Sequence, residues 1–540
     1  SGESRMGVWE PHFEPSQNRV RGPRLNGRRS GEWHAMTDPR GTPISPWLDR
    51  SKASTWPSLA ADRTCEVAVI GGGIVGVATA YQLALGGAKV ILLEARRIGS
   101  GVTGNSSAKL SALQGGVYSR LVEDFGADVA RQYADLNLGG IALIDEVARA
   151  HDIDCSFVRR SAFDFTELST NVPKLEAEHE AAAQAGLVTR LEDSTDLPFK
   201  VAGALELEAQ AQIDPVAWVR GVAGLLPEMG SAVFEDTRVT AVDNGRGCRI
   251  STDTGFSLTA ERVVLATHAP ILDRGLFFAR LDSQRSYCVA GRIKGKLPRG
   301  MYLSVDDPLR SIRPFAPGET EPKTVLVSGE GHRVGTGNPA ERYATMTAYL
   351  QRQFGVAEPS HRWSAHDEIS PDRLPFIGPV HPGNDRIMVA TGFSKWGLAA
   401  GAGSAMLLAD RLSGIETTAA SIFNPGRLNL RQSAGSLIRH NAEVGVSFAA
   451  DRVRKRASAE DLGPGEGAVV GKGLSQHAVH RDEQGKLHRL SARCTHLGCI
   501  VSWNGAESTW DCPCHGSRFE ADGSVLQGPA VKPLEPVEEG

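Results

Sequence analysis

The sequence predicts a Rossmann-like α/β fold that carries a mixed α+β insertion and is followed by a small antiparallel β domain. Three observations predict it. A β-rich run, a glycine-rich turn, a helix of small apolar residues and a second β run follow one another between Cys65 and Glu94. Helical and strand-like patterns mix in residues ~140–210 and ~276–365. After residue 456 the chain breaks into short strands and turns, such as Gly467 to Val470, His477 to His480 and Leu487 to Leu490, the habit of an antiparallel domain.

At 540 residues the chain has room for about three or four domains. The formal net charge is −4 with both signs mixed, which marks no nucleic-acid partner. Half of the eight cysteines fall in two boxes near the C-terminus. Cys65, Cys155, Cys248 and Cys288 are scattered and read as small core residues. That usage fits a reducing compartment, the cytoplasm of a bacterial-type cell, with one protected disulfide. No run of ~18 apolar residues occurs, so no membrane span is expected and any membrane association is peripheral. Residues 1–60 are rich in Arg, Pro, Gly and Ser and lack hydrophobic periodicity. They read as an extended or disordered segment, with Trp47 and Trp56 packing its last part on the body. Residues 61–415 then form the large α/β unit, 416–455 a linker with a helix from Ser436 to Arg454, and 456–540 the small β domain.

The α/β unit opens with residues 65–70 (Cys-Glu-Val-Ala-Val-Ile), followed at once by Gly71-Gly72-Gly73-Ile74-Val75-Gly76 and a helical stretch to Leu85. A second β run, Ala88 to Leu93, ends at Glu94. This is a G-x-G-x-x-G turn between strand and helix with an acid about twenty residues on, the dinucleotide-binding fingerprint. Gly71 allows the tight turn, Gly73 lets a pyrophosphate approach the backbone, and Gly76 lets helix and strand pack closely. The helix N-terminus, with Ile74 and Val75, offers unpaired N–H groups to phosphate. Glu94 is placed to accept hydrogen bonds from a ribose.

The segment from Gly99 to Lys109 is small and polar. With Thr103, Ser107 and Lys109 it resembles the flavin-side loop of the glycine oxidase and D-amino-acid dehydrogenase group, the DAO superfamily. The resemblance continues over most of residues 64–415. Ala209 to Pro215 is similar to the stretch before a helix that re-enters the FAD domain. Phe234 to Val239 is similar to the strand that packs on the adenine, with Val239 as its contact. Val263 to Ala269, including Ala266 and Thr267, is similar to the strand and turn that close the nucleotide site. Asp372 to Pro379 matches a "D-x-x-P-x-I-G" turn. Gly392, Trp396, Gly397 and Leu398 lead into an Ala-rich helix from Ala399 to Leu412. In the family that helix N-terminus faces the flavin pyrimidine, where its dipole stabilises negative charge on the reduced ring. The resemblance implies an FAD domain of glutathione-reductase type, with the insertions as an α+β substrate domain. No Cys occurs in residues 289–493, where covalent members carry their linking residue, so non-covalent FAD is expected. Lys109, Tyr287, His332 and Lys395 are the candidate catalytic groups.

The two C-terminal boxes are Cys494-Thr495-His496-Leu497-Gly498-Cys499 and Cys512-Pro513-Cys514-His515-Gly516-Ser517. Two thiolates and two neutral imidazoles are what a Rieske [2Fe–2S] centre needs, at a potential roughly between −150 and +300 mV. Cys494, His496, Cys512 and His515 are the natural ligands. A structural zinc site and a plain disulfide pair are the rivals, although zinc rarely uses paired loops with extra cysteines. The boxes resemble those of Rieske proteins in cytochrome bc complexes. That resemblance implies a Cys499–Cys514 disulfide over the cluster, a shielding loop at Gly528-Pro529-Ala530, and a Ser517 hydroxyl on a cluster sulfide. Phe519 stands where high-potential members have Tyr, so a potential below the top of the range is expected.

Together these resemblances imply a flavin-dependent dehydrogenase. It would oxidise a small amine or amino acid and pass electrons from FAD to the Rieske cluster and on to an external acceptor, protein or quinone. One alternative is an NAD(P)H-dependent reductase feeding the cluster, which needs a second glycine-rich nucleotide motif; Gly401 to Met406 lacks the third Gly. Another is a non-enzymatic redox relay or sensor. An oxygenase would need a mononuclear His/His/carboxylate iron site, and the sequence displays no such set.

Overall fold

Short apolar β runs and two families of connections build two large sheets in the computed structural model, which describes residues 41–52, 56–245, 247–315, 323–427, 458–471 and 476–537. The first sheet has eight strands. Its centre is Arg63–Ile70, paired in parallel with Val90–Leu93 on one side and Ser257–Leu265 on the other. Ala232–Phe234 extends it beyond Val90–Leu93, and Ile387–Thr391 extends it beyond Ser257–Leu265. These strands read as continuous Val/Ile/Leu runs because both sheet faces are covered. The helix Ile74–Leu85 and the helix Ala399–Leu412 pack together on one face. The helix Ala127–Ala150 crosses Ala399–Leu412 so closely that a Cβ on Gly140 would lie 1.9 Å from the Ala399 carbonyl.

The second sheet has nine strands. They come from Val158–Thr166, Thr189–Glu192 and Gly203–Gln212, and again from Asp282–Arg292 through Met301–Ser304, Arg310–Phe315 and Thr324–Arg333 to His361–Ile369. The short strand Lys109–Leu110 pairs with its edge at Gln212 and Ala211. The flavin-side loop is thereby tied to the inserted sheet.

The C-terminal part holds a three-stranded and a four-stranded antiparallel sheet. Gly467–Val470, His477–Arg481 and Leu487–Ser491 form the first. Ser502–Asn504, Thr509–Asp511, Arg518–Glu520 and Val525–Gln527 form the second. Their common core is Val469, Ala478, Leu490, Trp510, Phe519 and Leu534, together with the box cysteines.

Two sequence expectations change in detail. The run from Phe234 to Val239 is not one strand. It splits into Ala232–Phe234 and Val239–Asn244, because the chain turns at Asp236 with φ +46. The N-terminal segment is not extended throughout: Ser45 caps a short helix, Pro46–Arg50, that buries Trp47 completely. Trp56 also packs against the core. The expected helix from Ser436 to Arg454 lies outside the described residues.

Candidate active site and cluster site

The glycine-rich turn has the form its sequence requires. Gly71 has φ +111, a region that only glycine enters without strain. A Cβ on Gly76 would lie 1.8 Å from the Gly71 carbonyl. A Cβ on Gly73 would meet only the Thr103 hydroxyl, at 3.1 Å, so the backbone there stands open on the cavity side. Thr103 accepts the Ile74 N–H at 2.9 Å. Glu94 ends its strand with Oε2 on the Gly72 N–H at 2.6 Å and Oε1 on the Arg96 N–H at 2.9 Å. Burial raises its pKa, opposed by those two N–H groups. An open backbone cradle at a helix N-terminus, next to a fixed acid, fits the pyrophosphate and ribose of FAD.

From this cradle a single cavity of about 1080 Å³ runs past Val239, Ala266 and Thr267 to Ser107, Lys109, Trp396, Gly397 and Leu398. It continues beneath the inserted sheet to Ser286, Cys288, Glu330 and Lys395. Lys109 and Lys395 therefore meet the same space. The Lys109 ammonium lies 5.4 Å from the Trp396 ring centroid and donates to the Tyr302 carbonyl at 3.3 Å. Burial pushes its pKa down to about 8, with Asp164 opposing. Burial and Glu178 push Asp164 itself up to about 8. Lys395, at φ +78, donates to Ser286 at 2.9 Å.

Tyr287 and His332 do not join them, and neither lines the cavity. The Tyr287 hydroxyl meets His332 Nε2 at 3.0 Å with the rings stacked, and Tyr287 packs edge-on against Tyr343. Strand alternation is the reason: Ser286 and Cys288 face the cavity, so Tyr287 between them faces the other side and the helix Pro339–Phe354. Gly392 also lies off the cavity, as the left-handed hinge (φ +74) before the loop that carries Trp396.

The cluster boxes form two adjacent loops. Cys499 and Cys514 are joined in a disulfide. Cys494, Cys512 and His515 are buried, and the His496 side chain is 7 % exposed. The His496 and His515 ring centroids lie 5.1 Å apart. His496 Nδ1 is buried without a hydrogen-bond partner, a costly state unless that nitrogen is a metal ligand. Two free thiols, two imidazoles and this orphaned nitrogen fit a [2Fe–2S] cluster. Ser517 Oγ accepts the Ala530 N–H at 3.0 Å, tying the ligand loop to the Gly528-Pro529-Ala530 loop.

The C-terminal part is locked onto the rest of the chain beside the cavity. Arg285, fully buried, pairs with Asp511 at 2.9 Å and Glu507 at 3.1 Å. Arg518 reaches both acids, and Tyr343 donates to Glu507 at 2.8 Å. Burial works against the Asp511 charge, but Arg518 and Arg285 outweigh it and hold its carboxyl well below the usual range. Gln527, Gly528 and Ala530 line the cavity itself. Gly516 has φ +77, and a Cβ there would lie 2.7 Å from His366 Cε1 and from Ser283.

Beneath that contact the structure gathers a set that the sequence concealed. His268, His366 and Glu368 bring ligand-type atoms within 4.8 Å of one another. Glu368 accepts from Ser283 at 3.0 Å and lies 3.2 Å from His366 Nε2. Burial and His366 push His268 down to about 4. Burial, Arg285 and Arg518 push His366 to about 3. Both imidazoles are neutral at pH 7. His268 occupies a left-handed position, φ +64, which residues other than Gly adopt at some cost. His366 lies 98 positions after His268, so no local motif announced the set.

A model of the FAD dependent oxidoreductase (DAO) family matches residues 66–411, and a model of the Rieske [2Fe-2S] domain matches residues 454–538. The chain is 35 % identical to the Rieske 2Fe-2S iron-sulfur protein YhfW of Bacillus subtilis, over 92 % of this chain and 98 % of that one. It is 27 % identical to the gamma-glutamylputrescine oxidoreductase of Escherichia coli, over 42 % of this chain and 54 % of the relative. Among solved structures it is similar to glycine oxidase from Geobacillus kaustophilus: TM-score 0.56, 20 % identity, 68 % of this chain and 99 % of that one. L-proline dehydrogenase from P. horikoshii gives a TM-score of 0.55 at 19 % identity, over 67 % of this chain and 97 % of that one.

Proposed function

Starting from a chain that belongs to the FAD-dependent oxidoreductase family and carries a Rieske [2Fe–2S] domain, we propose a dehydrogenase for a small amine or amino acid whose electrons leave through its own cluster. The observation that carries this reading is the shared wall. The cavity that begins at the dinucleotide cradle is lined at its far side by Gln527, Gly528 and Ala530 of the cluster domain, which supports a donor and an exit within one chain. When bound, FAD supplies the acceptor for a hydride equivalent, and the cluster, held by Cys494, His496, Cys512 and His515, supplies a one-electron exit.

The chain's own groups prepare the substrate. An ammonium group must lose a proton before its C–H can leave as hydride, and Lys109, with a pKa of about 8, is matched to take it near neutral pH. The indole of Trp396 forms the wall beside it. Lys395, whose ammonium donates to Ser286 in the same cavity, offers a positive charge to a substrate carboxylate. The inserted sheet lines the cavity through Ser286, Cys288, Ser328 and Glu330.

The NAD(P)H-reductase alternative loses support at Gly401 and Gly403. Both sit inside the helix Ala399–Leu412, where a Cβ would strike Val75 and the Leu136 carbonyl respectively. They serve helix packing, not a second nucleotide turn. The test is an anaerobic titration of purified holoprotein with a panel of amines and D- and L-amino acids, following flavin bleaching by absorbance and the reduced cluster by EPR. One compound that bleaches the flavin and then brings up the cluster signal supports the proposal. Reduction by NADH or NADPH alone would overturn it.

A further inference from the structure

The proton-bearing edge of one cluster imidazole is taken by a residue of the flavin domain. His496 Nε2 lies 2.9 Å from Asp273 Oδ1. Asp273 belongs to the connection between the strand Ser257–Leu265 and the short helix Phe277–Arg280. From that short helix Phe278 sets its ring edge-on against both imidazoles, with centroids 5.8 Å from His496 and 5.3 Å from His515. Because His496 Nδ1 is the buried, unpartnered nitrogen, iron ligation there leaves Nε2 carrying the hydrogen, and the Asp273 carboxylate accepts it.

Resting on the Rieske reading of these four ligands, we propose that Asp273 is a positioning residue that lowers the reduction potential of the cluster, so that the flavin domain sets the potential of the centre it feeds. Two effects act in one direction. A carboxylate on the outer nitrogen makes the imidazole a stronger donor to iron, which favours the oxidised cluster. Its negative charge also opposes the arriving electron. The Asp273 side chain is 57 % exposed, so solvent weakens the second effect and the first, carried by the hydrogen bond, dominates. The same contact fixes the His496 ring against Asp273 and Phe278, so an external acceptor that needed this N–H would have to displace Asp273.

The test compares midpoint potentials of wild type, Asp273→Asn and Asp273→Glu in the intact holoprotein, by redox titration read through the reduced-cluster EPR signal. Asp273→Asn is expected to raise the midpoint by roughly a tenfold change in equilibrium constant, about 59 mV for one electron. Asp273→Glu, which keeps the carboxylate, is expected to stay near wild type. An unchanged midpoint in Asp273→Asn overturns the proposal. So does an equal rise in both variants, because loss of docking rather than loss of the carboxylate would then be the cause. A wild-type protein without two irons, two sulfides and a Rieske EPR signal overturns the cluster reading beneath it, a result distinct from either.

Discussion

Lys109 is where one residue's chemistry is most exposed to test. Its pKa of about 8 lies below that of an ordinary lysine because burial disfavours the ammonium. The free-amine fraction therefore grows as pH rises through about 8, and the rate of substrate-dependent flavin reduction is expected to grow with it. Lys109→Met is expected to lose about 100-fold or more in that rate and to flatten its pH profile near 8; anaerobic stopped-flow absorbance across pH 6–10 checks both. Residue type and spacing brought the cluster boxes and Lys109 forward as candidates, and Lys109 does line the cavity. They misplaced Tyr287 and His332, because which face of a strand a side chain takes depends on register, and register is set by partners far along the chain. His268, His366 and Glu368 stayed hidden for the related reason that only tertiary folding makes them neighbours.

At the scale of elements, the strand–turn–helix around Gly71–Gly76 is the most constrained piece of the cofactor site. Gly76→Ala puts a methyl carbon 1.8 Å from the Gly71 carbonyl, and backbone cannot yield cheaply there. The purified variant is expected to lose bound FAD, read as the ratio of flavin to protein absorbance, while keeping its cluster EPR signal. Gly516→Ala acts where the cluster loop meets His366 and Ser283. Its left-handed φ costs about 1–2 kcal/mol, and its Cβ would press on His366 and Ser283. Flavin-to-cluster electron transfer is expected to slow, with substrate-dependent flavin bleaching retained. Elements with strong local patterns, such as Ala399–Leu412, were legible to the residue. The break at Asp236 was not, because a single left-handed residue between two β-like runs leaves no trace in apolar periodicity.

For the molecule as a whole, the decisive feature is the buried ion network across the two parts. Arg285→Leu leaves Asp511 and Glu507 with Arg518 as the remaining guanidinium of the network and is expected to cost about 3–5 kcal/mol, measured by urea unfolding through Trp503 and Trp510 fluorescence. Asp511 adds a pH signature. Its folded-state pKa is depressed, so its stabilisation is fully present above the unfolded value near 4 and is lost progressively as pH falls from there through the depressed one. The network should therefore hold at pH 4 and weaken below it, and Arg285→Leu should narrow that margin. None of this was legible in the sequence, where Arg285 and Asp511 are 226 positions apart.

The shared cavity wall also ties flavin retention to iron. Gln527, Gly528 and Ala530 take their places in the wall because the loops around the cluster hold them there. Cys512→Ser, which removes one proposed cluster ligand beside those loops, is expected to retain less FAD than wild type, read as the ratio of flavin to protein absorbance. On the proposed function, shortage of the metal would then remove flavin and cluster together.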